Sequence, residues 1–151
     1  MKLTHARAKE LMAEFARCDL LVVGDLMLDR YVSGTVERIS PEAPVPILHA
    51  RHERSVPGGA CNVALNIRAL GGKSRICGAA GLDSEGDILL EHLNGAGINT
   101  SAVVRTTEIH TVVKTRFVSG RHQLLRVDQE DAADLDTLPR SSLLSALDVG
   151  M

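Results

Sequence analysis

"SVPGGACNVALNIRALGGKSRICGAAG", residues 55–81, sets a Gly-Gly pair, a helical apolar repeat, a second Gly-Gly pair and an apolar run in immediate succession. Ala60, Val63, Ala64 and Ile67 recur at i, i+3, i+4 and i+7, which predicts a helix with one apolar face. Gly71-Gly72 ends that helix, and "KSRICGAAG" supplies a strand. Upstream, Leu20–Val23 form a short apolar run that suits a buried strand. Downstream, "DSEGDILLEHLNGAG" predicts a helix capped by Asp83 or Ser84 and closed at Gly95 or Gly97, and Ser101–Arg105 suits another short strand. Strands alternating with helices predict an α/β fold with a parallel sheet.

Two stretches stand outside this alternation. "RYVSGTVERISPEAPVPILHARHERSV" and the residue after it hold Pro41, Pro44, Pro46 and Pro57. Proline is excluded from central strands, so edge strands and turns beyond the main sheet are expected. "HTVVKTRFVSGRHQLLRVDQED" predicts a hairpin turning at Ser119-Gly120. Together the two make a small accessory sheet, approximately residues 31–56 and 110–128. Leu11, Met12, Phe15 and Ala16 predict an amphipathic N-terminal helix, and "DTLPRSSLLSALD" predicts a last helix capped near Asp136 or Thr137.

The 151 residues suffice for one domain with a real core. Phe15, Tyr31 and Phe117 are the only aromatics, too few for the stacking platforms of single-strand nucleic-acid binding. A net charge of −2 gives no wide cationic field for duplex DNA. Cys18, Cys61 and Cys77 lack CxxC spacing and read as reduced thiols, which places the expected location in the cytoplasm. No histidine pair has ligand spacing, so no metal site is expected, and neither a signal peptide nor a membrane-spanning run occurs.

Two motifs are decoys. "GGKS" (71–74) resembles the end of a P-loop, but Ile67 stands where the first glycine belongs and the loop follows a helix. "DSEGD" resembles an EF-hand start, but Ile88 and Asn94 occupy the positions of the glycine and the last carboxylate. A dinucleotide site lacks GxGxxG after the first strand.

Other residues are candidates. Gly58 and Gly59 allow a ligand to approach the main chain beside a helix N-terminus, with Asn62 in its first turn; an ordinary turn into a helix fits the same residues. Asp29 lies beyond a strand's carboxyl end, where ligands bind in open α/β sheets, whereas Asp25 reads as a loop cap. Lys114 and Arg116 share one strand face and suit an anionic substrate or, equally, a solvated edge. Arg126, with Asp128 on its face, shares both readings.

These stretches resemble the ribokinase/PfkB family of sugar kinases. Gly58-Gly59, Asn62, Ala64, Gly71 and Gly81 fit that family's first signature. "VVGDLMLDRYVSGTVERISPEAPVPIL", "PGGACNVALN" and "VKTRFVSGRHQLLRVD" resemble its heptose 7-phosphate kinase branch over nearly the whole chain. Cys61 departs from the commoner alanine, and Arg121-His122 from a more amide-rich pair. The resemblance implies the N-terminal part of a ribokinase-like doubly wound sheet with a small β lid. It implies that Asp29, Gly58, Gly59 and Asn62 hold sugar hydroxyls, with Arg38, Lys114, Arg116 and Arg126 as candidates for the lid and the substrate phosphate. ATP and Mg²⁺ would serve the intact family member, in which a GxGD aspartate activates the sugar hydroxyl.

No GxGD occurs here, so no catalytic residue is expected, ATP and Mg²⁺ are not expected to bind tightly, and the chain reads as the N-terminal half of a kinase. Its expected partners are a sugar phosphate and a second copy through the lid strands, or an aggregation-prone oligomer, since half of a sheet leaves an open edge.

Overall fold

The apolar run that closes "SVPGGACNVALNIRALGGKSRICGAAG" becomes the central strand of a parallel sheet, and its first residues end a strand of a second sheet. In the computed structural model, which describes residues 3–130 and 143–146, β1 (Asp19–Val23), β4 (Lys73–Gly81) and β5 (Asn99–Thr106) lie in the order β1-β4-β5. Both pairings are parallel, and the helices α2 (Ala60–Ala69) and α3 (Ser84–Gly95) precede β4 and β5 respectively. β4 is the most buried of these strands, as a central strand of a parallel sheet must be.

A second, four-stranded sheet has the order β3-β2-β6-β7, built from β2 (Leu26–Ile39), β3 (Pro46–Gly59), β6 (Val112–Ser119) and β7 (His122–Gln129). β2 pairs antiparallel with β3 and parallel with β6, and β6 pairs antiparallel with β7. Pro46 and Pro57 both fall on β3, an edge strand, where a missing donor costs no ladder bond. β2 begins at Leu26 and β3 ends at Gly59, beyond the expected bounds of 31 and 56, so Asp29 and Gly58 sit on the accessory sheet itself.

One hydrophobic core joins the two sheets. Leu26 and Leu28 of β2 and Val113 of β6 pack with Ile76 and Ala80 of β4, Cys61 and Ala64 of α2, and Leu89 and Leu93 of α3. Leu28, at 0% exposed, carries the lower part of β2 into this cluster. Ser74 is buried as well, and its hydroxyl donates to the Ala64 carbonyl at 3.1 Å, tying β4 to α2.

Helix α2 differs from expectation in the face it buries. Cys61 and Ala64 are inside, while Val63 is 50% exposed. The cause is the way the chain enters the helix. Gly59 is both the last residue of β3 and the N-cap of α2, with φ of 54°, and the Ala60 N–H donates to the Asp25 carbonyl at 3.0 Å. That bond fixes the helix rotation before the apolar pattern can choose it.

Helix α1 (His5–Phe15) is capped by Thr4, whose hydroxyl accepts from the Arg7 N–H, but it buries none of its residues, and Met12 is 64% exposed. Helix α3 is capped by Asp83 and followed by Gly97 at φ of 73°. The helix expected from Asp136 onward lies largely outside the described residues; the described part, 143–146, is helical.

Candidate functional site

Alternation along a strand places Asp29 and Tyr31 on one face of β2, and the register extends that face across the sheet. One cross-strand row reads Arg54 (β3), Tyr31 (β2), Arg116 (β6) and Arg126 (β7). The neighbouring row reads Val56, Asp29, Lys114 and Asp128. Rows on one face of a sheet are about 7 Å apart and neighbouring strands about 4.8 Å apart. Four cations and two carboxylates therefore share a small surface.

The charges are paired. Arg116 donates to the Asp29 carboxylate through Nη1, and this hydrogen bond holds the guanidinium firmly in its charged form against the cost of burial. Lys114 Nζ donates to Glu130 at 3.1 Å and to Asp128 at 3.4 Å; the Glu130 bond is the larger cause of its raised pKa. Arg126 Nε lies 2.8 Å from Asp128. The Tyr31 ring sits between two guanidiniums, with Arg54 Cζ at 4.7 Å and Arg116 Cζ at 5.4 Å from its centroid.

Gly58 faces Met27 across the β2–β3 ladder, and a Cβ there would lie 2.5 Å from the Asp29 carboxylate. Glycine thus lets Asp29 lie flat against the β3 backbone. Gly59 needs its positive φ, and a Cβ on it would meet the Asp25 carbonyl at 2.7 Å. The pair closes β3 and opens α2 with no intervening loop. Asn62 follows in the first turn of α2, with an exposed side chain. Asp25, expected as a loop cap, acts through its main-chain carbonyl.

Six of the eight sequence-derived candidates, Asp29, Gly58, Gly59, Lys114, Arg116 and Arg126, thus occupy the base of the four-stranded sheet, and Asn62 adjoins them. Arg38 does not join them. It pairs with Ile47 near the far end of β2, nine residues and roughly 30 Å of extended strand from Asp29. Tyr31 and Arg54 were not anticipated. Arg54 lies inside the charged run "HARHER" (49–54), and only the strand register shows which of those residues faces Asp29.

On the opposite face, Arg30 links the sheet to helix α3. Its Nη2 lies 3.4 Å from Glu85, and its buried Nε lies 3.2 Å from Glu53, poorly aligned for a hydrogen bond. Close by, Asp83 accepts from the Gly86 N–H (2.8 Å), the Thr111 N–H (2.8 Å) and the Thr111 hydroxyl (2.7 Å). Thr111 Oγ1 in turn accepts from the Gly81 N–H at 3.0 Å. Burial pushes the Asp83 pKa up, but these donors, with His110 nearby, outweigh it and hold the carboxyl below its usual range. This network locks the end of β4, the start of α3 and the approach to β6 into one joint.

A cavity of about 440 Å³ opens at this joint, lined by Asp83, Glu85, Thr111, Val113, Asp128 and Glu130 among others. Four carboxylates on its wall repel an anion, and it reaches none of Asp29, Gly58, Gly59 and Asn62. The open sheet face is the better candidate. Among the described residues, no cluster of three or more His, Cys, Asp or Glu side chains is placed to hold a metal ion, and no helix is long and apolar enough to cross a membrane.

The profile of the family described as "pfkB family carbohydrate kinase" matches residues 18–148. The "Bifunctional protein HldE" of Methylobacillus flagellatus is 45% identical over 128 residues, 85% of this chain and 26% of that protein. The protein of the same name from Magnetococcus marinus is 46% identical over 130 residues, 86% of this chain and 26% of the relative. The chain therefore spans about a quarter of the length of these curated relatives. The fold is similar to that of Arabidopsis thaliana ribokinase, solved with ribose and ATP, at a TM-score of 0.60 and 21% identity over 74% of this chain and 36% of that one.

Proposed function

The chain belongs to the pfkB family of carbohydrate kinases and has a partial ribokinase-like α/β fold, and from that premise we propose that it is the sugar-binding half of a kinase acting on a heptose 7-phosphate. The observation that carries this reading is the contact between Asp29 and the Gly58 backbone on a cation-bearing sheet face. A carboxylate accepts hydrogen bonds from two vicinal hydroxyls. The glycines leave room for a ring to lie against the main chain, and Asn62 adds an amide at the helix N-terminus. The heptose 7-phosphate assignment rests on "RISPEAPVP" and "HQLLRVD", stretches that resemble that branch of the family.

In the whole kinase the reaction is transfer of the ATP γ-phosphate to the anomeric hydroxyl, assisted by Mg²⁺. Such transfer depends on positioning and on electrostatic stabilisation of the moving phosphoryl group. The family resemblance puts the base on a GxGD aspartate, a motif that does not occur in this sequence. This chain's share is therefore to bind and orient the acceptor sugar, with ATP as the other substrate of the whole kinase.

Titration calorimetry of the purified chain with heptose 7-phosphate tests the proposal. Saturable binding that Asp29→Asn weakens at least tenfold is expected, from loss of a charged acceptor. Absence of binding refutes the sugar-binding reading, and ATP-dependent turnover by the chain alone refutes the division of labour. A second reading, self-association through the lid without catalysis, is favoured by the exposure of Leu125 (56%) and Val127 (40%) on the outer strand β7. A monodisperse monomer in sedimentation velocity would overturn it.

A further inference from the structure

The structure assigns Arg54 the role of gripping the substrate's phosphate, with Tyr31 as its positioning residue, an inference that rests on the sugar-binding reading above.

The argument begins with which cation on the Asp29 face has charge to spare. Arg116 is committed to Asp29, Arg126 to Asp128, and Lys114 to Asp128 and Glu130. A phosphate approaching any of these competes with a carboxylate already in place. Arg54 differs. Among the described residues no carboxylate lies within ion-pair distance of it, and its neighbour Glu53 points to the other face of β3, where it meets Arg30.

Arg54 is nevertheless held in position. Its guanidinium stacks over the Tyr31 ring at 4.7 Å, and Arg116 approaches the same ring at 5.4 Å. A cation–π contact of this kind uses none of the fork's five N–H donors, so all remain free for phosphate oxygens. A planar fork matches phosphate geometry better than an ammonium does.

Its place on the sheet also fits a sugar phosphate. Arg54 lies in the row next to that of Asp29, about 7 Å farther along the same face. A molecule with hydroxyls at Asp29 and Gly58 and an anionic end pointing along β2 reaches Arg54 without leaving the surface. The phosphate recognised is a monoester on a small sugar.

The test compares binding of heptose 7-phosphate and of the same heptose without phosphate, by calorimetry, to the wild-type chain and to Arg54→Gln, Arg54→Lys, Tyr31→Phe and Tyr31→Leu. Arg54→Gln is expected to lose roughly 10- to 100-fold in affinity for the phosphorylated sugar, bringing it near that of the unphosphorylated one. Arg54→Lys recovers part of the loss. Tyr31→Phe keeps the ring and the affinity, whereas Tyr31→Leu loses several-fold, again only for the phosphorylated sugar. Unchanged melting midpoints show that each variant folds, as expected for an exposed Arg54. If Arg54→Gln binds both sugars as tightly as wild type, the assignment is wrong and the sugar-binding reading survives. Equal losses for both sugars also overturn it. Failure of the wild-type chain to bind either sugar overturns both.

Discussion

Replacing Asp83 by alanine removes the acceptor of three hydrogen bonds at once. The Gly86 N–H loses its helix cap, an effect of about 1 kcal/mol. The Thr111 N–H and hydroxyl lose a charged acceptor, each worth about 1.5 kcal/mol at the lower end for such bonds; this lower end is appropriate because Asp83 keeps some solvent contact. The expected loss is therefore about 4 kcal/mol, read from urea unfolding followed by circular dichroism. Thr111→Val in the same background should cost much less than in wild type, because the two side chains share one network. The pH dependence has a definite sign. The carboxyl's folded-state pKa is depressed, so its contribution is fully present above the unfolded value of about 3.9 and declines as pH falls through the folded value. The gap between wild type and Asp83→Asn should accordingly be constant near neutrality and close in acid. A loss below 1 kcal/mol for Asp83→Ala, or strict additivity with Thr111→Val, would refute the picture of a single joint.

Two further outcomes follow from other parts of the molecule. Gly58→Ala sets a Cβ against the Asp29 carboxylate at a distance no real contact tolerates, so heptose phosphate affinity should fall at least tenfold in calorimetry while Gly95→Ala, in open space, leaves it unchanged. Burial pushes the Cys61 thiol up to about 11, and Cys77 is buried too, so a disulfide reagent at pH 8 should label Cys18 first, with Cys61 and Cys77 reacting only after unfolding.

The α/β alternation was legible because its signals are local: apolar runs of strand length, a 3.6-residue repeat, glycines at helix ends. Asp29, Lys114 and Arg116 could be nominated for the same reason, since period-two alternation shows which residues of one strand share a face. Pairing between strands is not local. Arg54 and Tyr31 are 23 positions apart in sequence and become neighbours only through the β2–β3 register, so nothing in "HARHER" separates Arg54 from Arg51. The distance of Arg38 from Asp29 was hidden for the complementary reason: a motif's composition carries no information on how far a 14-residue strand takes its end from the site. Val63 was misread because a backbone bond from Ala60 to the Asp25 carbonyl, absent from any periodicity, orients α2.

Strand β2 runs from the core into the accessory sheet without interruption, and its two faces belong to different tasks. Leu28 is sealed in the core while Asp29, the next residue, faces the open surface. The accessory sheet is therefore not joined to the core by a flexible tether; it is continuous with it, like a blade whose root packs against α2 and α3. Farther out, the ladder is broken by register shifts near Gly34 and Arg38, where a strand bends and twists more strongly. A change of volume at Leu28 is therefore expected to tilt the blade and move Asp29 from behind, without touching a residue of the proposed sugar site.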